Sequence, residues 1–435
     1  MKVWTTGILL TLTALLPTLA FGQDQWSVPG APATGYFDPV YCPNPQAGMY
    51  DQFAPQAGMY EQLLPARGDQ RYCDSRFNLT AREAFAGSYI RLDYMQWQIT
   101  GGDGTLLGAP VANPSIDLSG NTPGAQLQAN DPLTGALPSS TVIVPKLGSA
   151  WDTVNGLRGT FGIPTTVGTF EADFFYFQQV ENSIRIDPYV NTRIPGTVTT
   201  VIGATTLLVN GQEVNNRMIL YNESYLAQQT TSLWGTQGNW IYPPFTPNVP
   251  VEFSPIIGFR YLSLDDRLRI AGTNVNDTVT LNHVIESIAR NNIFGPQIGL
   301  RAQSTMGRLE LGVETKFIAG INSMTEVVKT QEIFNPTTST NPDQATEAPR
   351  NIRGHRTRFA PIFDLGLSGK LQVNDHFKLY ASYQMLLGGG FSRAFDNIDY
   401  NSPTSITSAP QIGLDPNLSK FMAHGFAVGG EVVFR

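Results

Sequence analysis

Beyond its first 22 residues the chain has no apolar run of 18 residues or more, which excludes a transmembrane helix from the rest of the sequence. Charged residues make up 14% of the chain, against about 25% in an average soluble domain. That deficit argues against an ordinary soluble surface. Lys and Arg number 28 and Asp and Glu 35, a net charge of −7 with no basic run, so nucleic acid is not an expected partner. Histidine is equally sparse: His283, His355, His376 and His424 stand at no metal-ligand or triad spacing. There is no Gly-x-Ser-x-Gly elbow and no His-Glu-x-x-His, and "LLGGGF" lacks the Lys-Ser/Thr of a phosphate loop. "DNIDYN" (396 to 401) lacks the remaining ligands of a known calcium loop and reads as a polar loop tip. No catalytic residue, cofactor or metal is therefore expected, and the protein reads as a non-enzyme.

Cysteine occurs twice, at Cys42 and Cys73. A disulfide between them would close a loop of about 30 residues and stabilise by roughly 3 to 4 kcal/mol on the chain-entropy model. Two free thiols in an extended arm are the alternative.

What is present begins with "MKVWTTGILLTLTALLPTLAFGQ": a lysine, an apolar stretch, then small residues, the pattern of a secretory signal over residues 1–22. Residues 23–86 are rich in Pro, Gly and Gln and contain "PQAGMYDQFA" followed directly by "PQAGMYEQLL". This duplication suits a low-complexity periplasmic arm.

From residue 87 to 435 the pattern changes to period two. "SYIRLDYMQW" sets Ile90, Leu92 and Tyr94 against Arg91 and Asp93; "TFEADFFYF" sets Phe170, Phe174 and Tyr176 against Glu171 and Asp173. "GRLELGVETKFIAG" places Leu309, Leu311, Val313 and Phe317 between Glu310, Glu314 and Lys316. Period two means strands with one apolar and one polar face. The connections alternate between tight turns, such as Met306-Gly307, and long segments, chiefly 100 to 155, 179 to 222, 265 to 284, 321 to 356 and 389 to 419. Runs of a dozen residues joined this way point to an all-β, antiparallel transmembrane β-barrel of about ten strands (range 10 to 14), with short periplasmic turns and long extracellular loops.

In such a barrel the apolar row faces lipid and the charges face inward. Arg91, Asp93, Arg158, Glu171, Asp173, Arg260, Arg301, Arg308, Glu310, Glu314, Lys316 and Lys370 are then the candidate lumen-lining residues. Trp97, Tyr176, Tyr261, Phe317, Phe359 and Phe391 suit interfacial girdles, while His283 and His355 fall in outer loops as solvated side chains. The final strand has Phe434 one residue from its end and resembles the signal read by barrel-assembly machinery.

The strand "YIRLDYMQW" followed by "GGDGTLLG", together with "GLRGTFGI", "PIIGFRYLSLDDRLRI", "NNIFGPQIGL", "LELGVETKFIAGIN" and the closing "FAVGGEVVFR", resembles the bacterial β-barrel porin family numbered seven. The resemblance implies an outer-membrane barrel without established catalytic residues. Expected partners are outer-membrane lipid and the assembly machinery. Two functions fit: a narrow channel for ions or small solutes, or a non-conducting surface barrel that binds or adheres through its long loops.

Overall fold

The computed structural model describes residues 87–100, 105–110, 124–127, 140–147, 151–187, 189–191, 199–209, 212–245, 249–276, 279–333, 348–402 and 412–434. The signal, the Pro/Gln-rich arm, the duplicated segment and both cysteines lie outside them. Ten antiparallel strands close on themselves: β1 (Tyr89–Thr100), β2 (Trp151–Thr165), β3 (Gly168–Phe177), β4 (Ser224–Ile241), β5 (Glu252–Asn276), β6 (Val279–Met306), β7 (Leu309–Gln331), β8 (Arg350–Gln372), β9 (Phe377–Phe391) and β10 (Ser419–Val433). Closure is by β10 on β1, in register from Tyr89↔Val433 to Ile99↔Ala423. The backbone bonds from Gly87 N to Phe434 O and from Phe434 N to Ser88 O finish the seam. An extra strand, Val180–Ile186, continues β3 along the upper half of β4.

At one end the turns are tight. Gly307 and Arg308 link β6 to β7, and Gly307 sits at φ 61°, a left-handed conformation that a side chain would strain. At the other end the hairpins are tall. Segment 265 to 284, expected as a loop, is instead paired strand: β5 and β6 run for 25 and 28 residues and stay in register to Asn276↔Val279. Likewise β7 and β8 climb through much of 321 to 356. The reason is in the parity, because Leu268, Ile270, Ile285 and Val328 continue the alternation and bury completely.

The remaining long connections fold into a second sheet over this end, built from Gly124–Leu127, Ser140–Pro145, Thr199–Val209 and Gln212–Tyr221 with two shorter strands. Its Ile143, Leu207, Ile219 and Tyr221 pack with the barrel's Tyr225, Leu268, Ile270, Ile285 and Val328 in one cluster. "DNIDYN" is part of this packing and not a loop tip: Asn397, Ile398 and Tyr400 are buried.

Candidate functional site: the barrel interior

Side chains alternate strictly across the barrel wall. On β1, Ile90, Leu92 and Tyr94 point out while Arg91, Asp93, Met95 and Trp97 point in. The same holds around the ring, where Leu157, Phe174, Phe259, Ile298, Leu311, Phe317, Leu367 and Phe426 form an exposed apolar belt. From Leu311 to Ile321 along β7 the belt covers about 11 residues, which at ~3.3 Å per residue and a tilt near 40° span about 28 Å.

Eleven of the twelve candidate residues point inward, and they meet in two linked ladders. In the first, Asp93 accepts Arg158 (2.8 Å) and Arg91 (3.3 Å), Arg91 reaches Glu431 (3.7 Å), and Glu431 with Glu310 holds Lys370 and Lys378 (3.3 to 3.7 Å). In the second, Arg301 bridges Glu171 (3.0 Å) and Glu314 (2.5 Å), Lys316 joins Glu314 (2.6 Å) to Asp364 (3.6 Å), and Arg260 closes on Asp364 (2.7 Å). Gln384 connects them, accepting from Arg158 and donating to Asp364, each at 2.9 Å. Asp173 accepts from Gln237 and lines the same space. Arg308 does not join: it occupies the β6–β7 turn and is exposed, because the tight turn breaks the alternation there.

The ladders and Asp173 together hold seven bases (Arg91, Arg158, Arg260, Arg301, Lys316, Lys370, Lys378) against seven acids (Asp93, Glu171, Asp173, Glu310, Glu314, Asp364, Glu431), so charge is balanced at this level of the barrel. Desolvating such groups is costly unless each is paired, and the ladders supply the pairs. Asp364, Lys378 and Glu431 were missing from the sequence-based set, although parity marks them: Glu431 alternates with Val432, and Asp364 stands six residues from Lys370 on the same face. Small residues, Gly312, Gly366, Ser368 and Ser382, stand between the charged ones and leave a cavity of about 60 Å³, room for a few waters.

Above the ladders the inward row turns apolar on strand after strand. Asp93 is followed by Met95, Asp173 by Phe175, Arg260 by Leu262, Lys316 by Ile318, and Asp364 is preceded by Ile362. Together with Trp97, Phe177, Leu233 and Phe421 these fill the lumen as one cluster. Trp97 lies 5.0 Å from Phe177, ring to ring, and Phe391 stacks on Phe421 at 4.9 Å. Trp97 and Phe391 are thus lumen plugs and not girdle residues: Trp97 shares the parity of Asp93, and Phe391 follows a register shift after Gly388. Tyr176, Phe317 and Phe359 are exposed on the outer wall, and Tyr261 is half-buried there.

The chain after β9 then dips into the barrel. Gly390 takes φ 79°, where a Cβ would meet the Phe359 carbonyl at 2.8 Å, and so lets the segment turn inward. Arg393 is fully buried and pairs with Asp266 (3.0 Å) while donating to Thr100 O (2.8 Å). Asp266 also accepts from Thr231 Oγ1 and Ala394 N. Asn291 clamps Ser392 through both its N and its O, and Asn322 donates to Gly390 O.

Near the far end of β6, His283 is buried, not solvated; its Nδ1 meets the Glu332 carbonyl, and its ring stands edge-on to Tyr221 at 5.8 Å. Burial pushes its imidazole pKa down. His355 is exposed, on β8 and not in a loop.

A family model described as "Putative beta barrel porin-7" matches residues 89–434, from the first barrel strand to the last. The chain belongs to the β-barrel porin-7 family. The matched span of this porin-7 chain coincides with the closed ten-stranded sheet. No curated protein is similar to it in sequence. Among solved structures it is similar to the outer membrane protease OmpT from Escherichia coli (8% identity, 80% of this chain and 97% of that chain, TM-score 0.39). It is also similar to the toluene transporter TodX from Pseudomonas putida (8% identity, 80% and 89%, TM-score 0.25) and to an anion-selective porin from Comamonas acidovorans (9% identity, 80% and 98%, TM-score 0.16).

Proposed function

We propose that this porin-7 chain is a non-enzymatic barrel of a bacterial outer membrane, closed to solutes in the conformation described, whose work is done by the folded cap over its loop end. The observation that carries the reading is the filled lumen. A paired charge ladder, an apolar layer and the inward Ser392–Arg393 segment follow one another along the barrel axis. Ten strands lie just above the eight or so whose interior side chains alone can fill, far from the 16 to 18 of open porins. Supporting the membrane setting are the closed sheet, which leaves no unpaired edge, and the exposed apolar belt of about membrane height.

The test is single-channel recording on the full chain refolded into a planar bilayer. A silent bilayer, with insertion verified by heat-modifiable gel mobility, is the expected result; steady conductance steps would overturn it. One observation favours a gated channel as the second reading. The inward segment is held by polar contacts, the Arg393–Asp266 ion pair and hydrogen bonds to Asp266, Asn291, Asn322 and Thr100, so its withdrawal would remove one of the barriers across the lumen.

A further inference from the structure

The apolar belt is not equally tall around the barrel. On β7 the outward row runs Leu309, Leu311, Val313, Thr315, Phe317, Ala319 and Ile321, and on β8 it runs from Leu371 to Phe359 through Leu, Gly, Pro and Phe alone. On β1 the apolar row stops after Ile90, Leu92 and Tyr94, and Gln96 and Gln98 follow; on β2 it stops at Leu157, with Asn155 and Thr153 above. By the measure that gives about 28 Å on β7, Ile90 to Tyr94 covers about 13 Å and Leu157 to Ile163 about 18 Å. Height along the barrel does not account for the change. Counted from the turn-end residues Tyr89, Thr165 and Val433, Gln96 and Gln98 stand seven and nine residues up β1, Asn155 ten up β2 and His424 nine up β10. On β7, counted from Leu309, the residues at eight, ten and twelve are Phe317, Ala319 and Ile321. The sheet joins the polar side chains into one notch in the belt: Gln96↔Asn155, Gln98↔Thr153 and Gln98↔His424. Within it the Tyr94 hydroxyl donates to Asn155 Oδ1 at 2.9 Å, and the Tyr383 hydroxyl lies 3.0 Å from His424 Nδ1. Gln96 and Gln98 are exposed, and among the described residues neither amide has a side-chain hydrogen bond.

We propose that this notch, on β10, β1 and β2, is the contact surface for a second copy of this chain in the same membrane. The inference rests on the membrane reading above and adds a partner to it. An unpartnered amide facing hydrocarbon is costly, so a wall that carries two at belt height needs a cover that supplies hydrogen bonds, and lipid tails supply none. Chemistry selects the cover. The outward residues from Tyr94 to Gln98, Thr153 to Leu157 and His424 to Phe426 include no Lys, Arg, Asp or Glu, so the notch calls for no partner of opposite charge. A carboxamide donates and accepts through one group, which makes a face of carboxamides complementary to itself. Two copies related by a two-fold axis along the membrane normal bring identical residues together at one height, as an isologous contact requires. Tyr94, Leu157 and Phe426, each more than half exposed, form an apolar shoulder below the amides.

The experiment measures the mass of the full chain in density-matched detergent micelles by sedimentation equilibrium, with heat-modifiable gel mobility in parallel. The wild type is expected to be a dimer in reversible exchange with monomer. Gln96→Leu/Gln98→Leu/Asn155→Leu should weaken that dimer by about a hundredfold, since side-chain hydrogen bonds within a membrane are individually modest and a two-fold contact counts each twice. Its mobility shift should be kept, because leucine completes the belt. In a Cys42→Ser/Cys73→Ser background refolded into phosphatidylcholine vesicles, Gln98→Cys should cross-link to a dimer on oxidation, and Ala319→Cys, at a similar height on β7, should not. The cross-linking pair decides the matter should the leucine variant fail to fold. A wild type with a normal shift that is monomeric, or that assembles beyond a dimer, would overturn the two-fold surface. So would a dimer that the leucine variant leaves intact, or cross-linking through Ala319→Cys equal to that through Gln98→Cys. Loss of the mobility shift in the wild type would instead defeat the membrane reading.

Discussion

The two halves of the same ten strands are built inside out relative to each other. On the turn-end half of β5, Ile257, Phe259 and Tyr261 face outward while Ser254 and Arg260 face inward; on the loop-end half, Asp265, Arg267 and Arg269 face outward while Leu264, Leu268 and Ile270 are buried. The switch occurs within four residues, between Tyr261 and Asp265, without a break in pairing to β6. One strand therefore serves two solvents. Where the outside is apolar, polar side chains can be kept only inside, and they must pair there. Where the outside is water, the usual arrangement returns, with an apolar interior that the cap sheet seals. On β5 the boundary between them falls just above Leu262, a member of the apolar plug.

The contrast can be broken most severely at the joint between the halves. Asp266→Ala removes the carboxylate that neutralises the fully buried Arg393, and leaving such a charge unpaired costs about 3 to 5 kcal/mol. Urea titration of the refolded barrel should show this loss, and protease cleavage within 388 to 397 should accelerate; an unchanged midpoint would mean that the inward segment is not held there.

Charge on the outer wall tests the inversion itself. Phe317→Arg, at the middle of the exposed apolar belt, should cost about 2 to 4 kcal/mol on folding into lipid vesicles. Arg267→Leu, outward in the other half, should stay within about 0.5 kcal/mol. Equal costs at the two sites would show that both halves meet the same solvent.

The loop-end half should respond to acid through His283. Burial beside Tyr221 depresses its pKa, and the hydrogen bond to the Glu332 carbonyl opposes that only in part, so the neutral ring is the form the fold accepts. Stability from this site is full above about pH 6.5, the ordinary imidazole value, and declines as pH falls below it toward the depressed folded value. Hydrogen exchange at the ends of β6 and β7 should accelerate between about pH 7 and pH 5, and His283→Phe should remove that dependence. The smallest effect belongs to Glu310→Gln. Its carboxylate is partly exposed and shares Lys370 and Lys378 with Glu431, so the loss should be about 1 kcal/mol or less in the same urea titration.

Much of this was legible in the order of residues. Arg91 and Asp93 against Leu92 and Tyr94, or Glu314 and Lys316 against Val313 and Phe317, define a strand and its two faces with no knowledge of neighbours. The strand count and the inward direction of the charges follow from that and from the tight turns. The same rule holds higher up, where "DDRLRIAG" reads as a loop by its charge although Leu268 and Ile270 keep the alternation. It failed at Phe391, because the register shift after Gly388 resets the parity, and at Arg308, because a two-residue turn has none.

What the sequence alone determined is the period: a side chain's face is decided by its own strand, one residue at a time, and each strand writes it independently. Which solvent each face meets was decided only by closure. Asp266 and Arg393 are 127 positions apart, and Asn291 is 101 from Ser392. No local pattern marks them as partners, since their pairing depends on bringing β5, β6 and the end of β9 around one lumen. The plug and the balanced ladders are properties of that closed ring, and they exist because unpaired charge and unburied apolar surface are costly in opposite solvents.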